Sequence, residues 1–121
     1  MTTGIDMALA AQVVAAGTAA AKMIVTAESC TGGMVAAALT EISGASAVLD
    51  RGFVTYSNQA KSSLLGVAET TLTSHGAVSS KTAAEMAAGA LATAPQSHVA
   101  VAITGIAGPC LLYTSPSPRD S

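Results

Sequence analysis

The spacing of apolar and polar positions divides the chain into helices and strands that follow one another in turn. Ile5, Leu9, Val13 and Ala16 recur near a helical period across residues 5–17, and Gly17 is placed to terminate that helix. The run "AKMIVTAE" (21–28) is too short for a buried helix and predicts a buried strand. "TGGMVAAALTEISG" (31–44) predicts a helix that closes near Gly44. "RGFVTYSN" (51–58), with Phe53, Val54, Thr55 and Tyr56, predicts a second strand. A short helix or turn follows in "NQAKSSLLGV" (58–67), then a short helical piece in "AETTLTSHGAVSS" (68–80) with a loop at Gly76. Ser79 caps a clearer helix over 79–94, whose apolar face is Ala83, Met86, Ala87, Ala90 and Leu91, and Pro95 stops it. "SHVAVAITGIAGP" (97–109) is a third strand that runs into a glycine-rich loop.

Strands alternating with helices imply an α/β layered domain with helices on both faces of one sheet. In such sheets ligands gather at the carboxyl ends of the strands. Three loops end the three predicted strands: "AESCTGG", "TYSNQAK" and "TGIAGP".

Composition narrows the function classes. The 121 residues suffice for one small domain and one core. Half are apolar, yet one phenylalanine, two tyrosines and no tryptophan are present, so alanine-rich helices should pack closely. The net charge of −2 and the absence of a basic run argue against a nucleic-acid surface. No apolar stretch reaches the ~20 residues that span a bilayer. Asp6 stands where a signal peptide would be positive, which points to a cytoplasmic N-terminal helix. Cys30 and Cys110 form no CxxC, and His75 and His98 stand alone, so neither a zinc site nor a disulfide framework is expected.

The first loop carries the densest chemistry. It leads from a strand into a helix, which puts Ser29 at a helix N-terminus. The amides of Cys30, Thr31 and Gly32 there could hold a phosphate or stabilise an oxyanion, and Gly32 and Gly33 allow close backbone approach. The alternative role for Ser29 is that of an N-cap alone. A serine hydroxyl needs a base. No GxSxG elbow appears, and neither histidine has a visible carboxylate partner. Lys61 is the alternative: partly buried, it has a lowered pKa and can act as general base, with Tyr56 relaying or orienting the proton. Against that stand a solvated Lys61 and a half-buried structural Tyr56. Cys30 competes as nucleophile or is a small core residue. Glu28 either binds a ribose hydroxyl or stays a solvated charge. Arg51 either meets a phosphate or forms an exposed ion pair. Thr104, Gly105 and Gly108 could cradle phosphate through backbone N–H groups.

Together these loops resemble the C-terminal domain family of the competence/damage-inducible protein CinA, which includes the stand-alone nicotinamide-nucleotide amidohydrolases. "TAESCTGG", "GFVTYSNQAKSSLLGV", "HGAVSSKTAAEMAAGAL" and "VAVAITGIAGP" carry the resemblance, in order, from the first helix to Pro109. It implies a three-layer α/β/α sandwich. It also implies hydrolysis of the carboxamide of nicotinamide mononucleotide to nicotinate mononucleotide and ammonia, with no metal or other cofactor. Carried onto this chain, Ser29 is the nucleophile, Lys61 its base and Tyr56 an assisting hydroxyl. Phosphate contacts fall to "TGIAGP" and to Arg51. Family members self-associate, so a full-length chain is expected to form homo-oligomers. Beginning at the first helix, the chain resembles the stand-alone form.

The family pattern continues past "TGIAGP" with more glycines, a strand and a closing helix. Residues 110–121, "CLLYTSPSPRDS", match none of it. They are expected to be a disordered tail of foreign or out-of-frame origin on a truncated domain spanning 1–109. Loss of a strand and a helix would be large against a margin of ~5–15 kcal/mol. Two other classes remain beside the hydrolase: a non-catalytic nucleotide-binding module and a self-associating structural domain.

Overall fold

The computed structural model describes residues 6–105 and the backbone of residues 113–118. The elements are α1 (Met7–Ala20), β1 (Ile24–Glu28), α2 (Met34–Thr40), β2 (Leu49–Val54), α3 (Asn58–Leu65), α4 (Glu69–His75), α5 (Ser80–Thr93), β3 (Val99–Thr104) and β4 (Tyr113–Pro118), with a 3-10 turn at Ala45–Ala47. The sheet order is β2-β1-β3-β4. β1 runs parallel to both β2 and β3, so its carboxyl end at Glu28 lies between Val54 and Ile103.

Helices cover both faces, as the α/β reading expects. Val25 and Ala27 point from β1 toward α3 and α5, where Leu65, Met86, Ala87, Ala90 and Leu91 complete one core. Ile24 points the other way and packs with Ala10 and Val14 of α1 and Ala38 and Leu39 of α2. The two-residue strand period sends Thr26 and Glu28 to the same α2 side as Ile24. β1 is therefore buried along its whole length, two polar side chains included.

Several boundaries differ from the sequence expectation. α1 continues through Gly17 and ends at Ala21, whose φ of 55° closes the helix. Gly17 is small for a packing reason: a Cβ there would meet Val48 Cγ1 at 2.7 Å. At the other end Asp6 caps α1, its side chain accepting from the Leu9 amide at 3.0 Å. α2 is shorter than 31–44, because Thr31–Gly33 form a turn and the chain leaves the helix at Glu41. β2 begins at Leu49 and stops at Val54, leaving Thr55–Ser57 as a link into α3.

The tail also departs from expectation. Instead of lacking regular structure, the backbone of Tyr113–Pro118 pairs antiparallel with β3, Tyr113 opposite Thr104 and Pro118 opposite Val99. Without it β3 would present a row of unpaired N–H and C=O groups. Pro116 and Pro118 lack an N–H, which an outermost strand tolerates. Among the described residues no helix is long and apolar enough to cross a membrane.

Candidate active site

Ser29 is the first residue beyond β1. Its amide donates to the Ile103 carbonyl at 2.9 Å, and its own carbonyl accepts from the Gly32 amide at 3.0 Å. The residue is thus clamped between β3 and the turn that follows it, with 4% of its surface exposed. Beside it the β2–α3 link continues the parallel ladder, the Thr55 amide donating to the Glu28 carbonyl at 2.8 Å. That bond delivers the Tyr56 carbonyl to the site. Ser29 Oγ donates to this carbonyl at 3.4 Å, and Lys61 Nζ donates to it at 3.1 Å.

Lys61 reaches this point because α3 starts immediately before it. Ser57 caps the helix, its side chain accepting from the Ala60 amide at 3.0 Å. Helical spacing then puts Lys61 on the face of Leu65, toward the sheet. Lys61 is 1% exposed. Among the described residues no carboxylate pairs with it; the ion pairs there are Arg51–Asp50 and Lys81–Glu85. Burial therefore pushes its pKa below the ordinary lysine value, toward the free amine.

The structure thus brings Ser29 and Lys61 to one acceptor. Tyr56 joins them through its main chain, while its residue is 63% exposed and no hydrogen bond joins its phenol to either partner. Gly32 and Gly33 adopt φ of 58° and 103°. A Cβ on Gly32 would meet nothing, and one on Gly33 would only touch Val54 Cγ2 at 3.5 Å. Their requirement is conformational: they form a left-handed turn, and no close backbone approach demands them.

The amides at the start of α2 are committed within the protein. Gly32 donates to Ser29 and Met34 to Thr31. Gly33 and Val35 donate to Glu28 Oε1 at 3.2 and 3.0 Å, and Ala36 to Oε2 at 3.0 Å. The Thr31 hydroxyl adds a bond to Oε1 at 2.6 Å. Glu28 is accordingly neither a ribose ligand nor a solvated charge; it is fully buried and ligates the turn. The Gly32 N–H, expected to serve an oxyanion site, closes the turn onto the Ser29 carbonyl in this structure. Cys30, weighed as a competing nucleophile, is disulfide-bonded, which leaves it no thiolate to attack with.

Arg51 lies away from this cluster in the chain. It pairs with Val25, three residues before Glu28, or roughly 10 Å back along the sheet at ~3.3 Å per residue. Its guanidinium is held by Asp50 at 3.0 Å and donates to the Thr93 carbonyl at 3.4 Å. The exposed ion pair is what the structure supports. Thr104 closes β3 fully buried, its hydroxyl donating to the Ala77 carbonyl at 2.8 Å, so it ties the α4–α5 loop to the strand end. Gly105 follows at the same carboxyl edge, and Gly108 lies outside the described residues. Among the described residues no three side chains of His, Cys, Asp or Glu come together to hold a metal ion.

Two features were missed in the sequence: the Tyr56 carbonyl and the Glu28 anchor. The second carried a signal. Strand alternation places Glu28 on the buried face of Ile24, and a buried carboxylate must find donors, which the next helix start supplies.

Comparison with known proteins agrees with this architecture. A family model described as the CinA C-terminal domain matches residues 6–114. The nicotinamide-nucleotide amidohydrolase PncC of Escherichia coli K12 is 53% identical over 109 residues, covering 90% of this chain and 66% of that protein. Its namesake in Enterobacter agglomerans is 60% identical over 83 residues, covering 69% of this chain and 50% of that protein. The chain therefore spans half to just under two thirds of the length of these relatives. The crystal structure of the competence/damage inducible protein CihA from Agrobacterium tumefaciens superposes with a TM-score of 0.82 at 43% identity, covering 94% of this chain and 81% of that one.

Proposed function

The chain belongs to the CinA C-terminal domain family, and from that membership we propose that it hydrolyses the carboxamide of nicotinamide mononucleotide, with Ser29 as nucleophile and Lys61 as base. The observation that carries the proposal is the meeting of a serine hydroxyl and a buried lysine amine at one carbonyl oxygen, 3.4 and 3.1 Å away.

Burial favours the neutral amine of Lys61, the form able to accept a proton. The Ser29 proton passes from its contact with the Tyr56 carbonyl to Lys61 Nζ as Oγ bonds to the carboxamide carbon. The tetrahedral intermediate then expels nitrogen, which takes the proton from Lys61 and leaves as ammonia. The remaining acyl group is an ester on Ser29 Oγ. Water attacks this ester with the regenerated amine as base, and Oγ departs with the returned proton, giving nicotinate mononucleotide. The Tyr56 carbonyl orients both partners and stabilises the transient ammonium. In this scheme it replaces the assisting phenol expected of Tyr56. The phosphate is assigned to the main-chain loop that opens at Gly105, at the same carboxyl edge of the sheet.

Ammonia release with nicotinamide mononucleotide tests the scheme. Ser29→Ala and Lys61→Ala should each lose about 10³-fold or more in kcat while calorimetric nucleotide affinity stays within about threefold. Nucleotide binding without ammonia release in the unsubstituted chain would instead favour a non-catalytic binding module. Undiminished turnover in Ser29→Ala would remove the nucleophile assignment.

A further inference from the structure

Glu28 is a fully buried carboxylate that the reaction scheme does not use. Its side chain accepts four hydrogen bonds, all from residues 31–36. Its main-chain carbonyl accepts from the Thr55 amide at 2.8 Å, and the Thr55 hydroxyl lies 3.5 Å from the same oxygen. One residue therefore holds two segments. The carboxylate fixes the turn that carries Ser29, and the carbonyl fixes the link that carries the Tyr56 carbonyl and, through it, Lys61 Nζ.

We propose that Glu28 is a positioning residue that sets the spacing between Ser29 and Lys61 from a single point at the end of β1. This rests on the hydrolase reading above. The stakes are geometric, because displacing a reacting group by about 1 Å can cost roughly 10²-fold in rate. The chemistry of the anchor is also specific. Four donors meet two oxygens, and a carboxylate is the only side chain of this length that accepts at both ends. Glutamine keeps the length but presents an NH₂ to one group of donors. Donor then faces donor, either at Ala36 or at the Thr31, Gly33 and Val35 set, and the turn must move away from β1. Aspartate keeps both acceptors but is one methylene short.

The test compares Glu28→Gln with the unsubstituted chain in two ways, on protein verified as folded by circular dichroism. In the first, kcat in the ammonia assay should fall about 10- to 100-fold with KM within about threefold, and Glu28→Asp should recover only part of the loss. In the second, amide hydrogen exchange should speed up at Gly33, Val35 and Ala36 and also at Thr55. A residue that merely caps α2 would loosen 33–36 and leave Thr55 and kcat per folded molecule unchanged. Either of those last results overturns the proposal. Should the unsubstituted chain release no ammonia, the hydrolase reading fails, and the exchange at Thr55 still decides whether Glu28 couples the two segments.

Discussion

Gly89→Ala is the substitution at which fold and site are most tightly linked. Gly89 lies in the middle of α5 where α3 crosses it. A Cβ added there would sit 1.7 Å from the Leu65 carbonyl oxygen, 2.6 Å from its carbon and 3.0 Å from its Cα. All three are backbone atoms, so no side-chain rotation relieves the clash. Restoring a normal carbon–oxygen contact of ~3.3 Å, somewhat inside the carbon–carbon optimum, needs α3 and α5 to separate by about 1.5 Å. Alanine favours a helix interior over glycine by ~1 kcal/mol. Overpacking ordinarily costs ~1–3 kcal/mol and more where the backbone must move, so a backbone clash of this depth costs about 2–4 kcal/mol and the net change is destabilising by about 1–3 kcal/mol. At ~4 °C per kcal/mol for a chain of this size, the midpoint should fall by roughly 4–12 °C in a thermal scan. Leu65 is one turn beyond Lys61, so the displaced segment carries the amine with it. In the ammonia assay, well below the midpoint, kcat should fall about 10- to 100-fold. A variant as stable as the parent, with unchanged kcat, would refute the close crossing and the dependence of Lys61 on it.

Three further outcomes follow from individual side chains. Lys61→Met should abolish ammonia release yet raise stability at pH 7 by about 1–3 kcal/mol in urea unfolding, because a buried amine with no counter-ion, whose protonated form burial disfavours, is replaced by an apolar chain. The folded pKa is lowered, so between it and the unfolded value of ~10.4 the unfolded chain binds more protons; parental stability rises with pH there, and the Met advantage should narrow toward pH 10. Constancy of that advantage would contradict the lowered pKa. Among the described residues Thr26 Oγ1 is buried without a hydrogen-bond partner, so Thr26→Val should be neutral or stabilising by about 1 kcal/mol in the same assay, and a loss of that size would reveal a partner such as bound water. Arg51→Ala should leave KM for the mononucleotide within about threefold, since the guanidinium is engaged with Asp50 and Thr93; a large rise in KM would return Arg51 to the phosphate site.

The layered fold was legible because its strands are short apolar runs and its helices begin and end on local chemistry. Ser79, for example, caps α5 as its position before an apolar period suggests, its side chain accepting from the Thr82 amide at 3.1 Å. The failures have tertiary causes. Gly17 reads as a helix stop, yet its role is to admit Val48. The start of β2 at Leu49 and the pairing of Tyr113–Pro118 depend on neighbours distant in sequence. At the site, Ser29 and Lys61 stood out by residue type, but whether the amine was buried or solvated stayed open until α3 turned Lys61 and Leu65 to the same buried face. A main-chain acceptor such as the Tyr56 carbonyl has no residue signature. Arg51 stayed open between a phosphate and an ion pair, because charge type alone does not say which neighbour a guanidinium meets; in the fold it meets Asp50.

In the proposed reaction Ser29 forms a covalent acyl intermediate with help from Lys61. Rapid acid quench of the chain with nicotinamide mononucleotide, followed by peptide mass spectrometry, tests it most directly. The peptide containing Ser29 should gain the mass of the nicotinate mononucleotide acyl group. The adduct should be absent in Ser29→Ala and form far more slowly in Lys61→Met. Ammonia release at the parental rate in Ser29→Ala, with no adduct on any residue, would contradict this reaction.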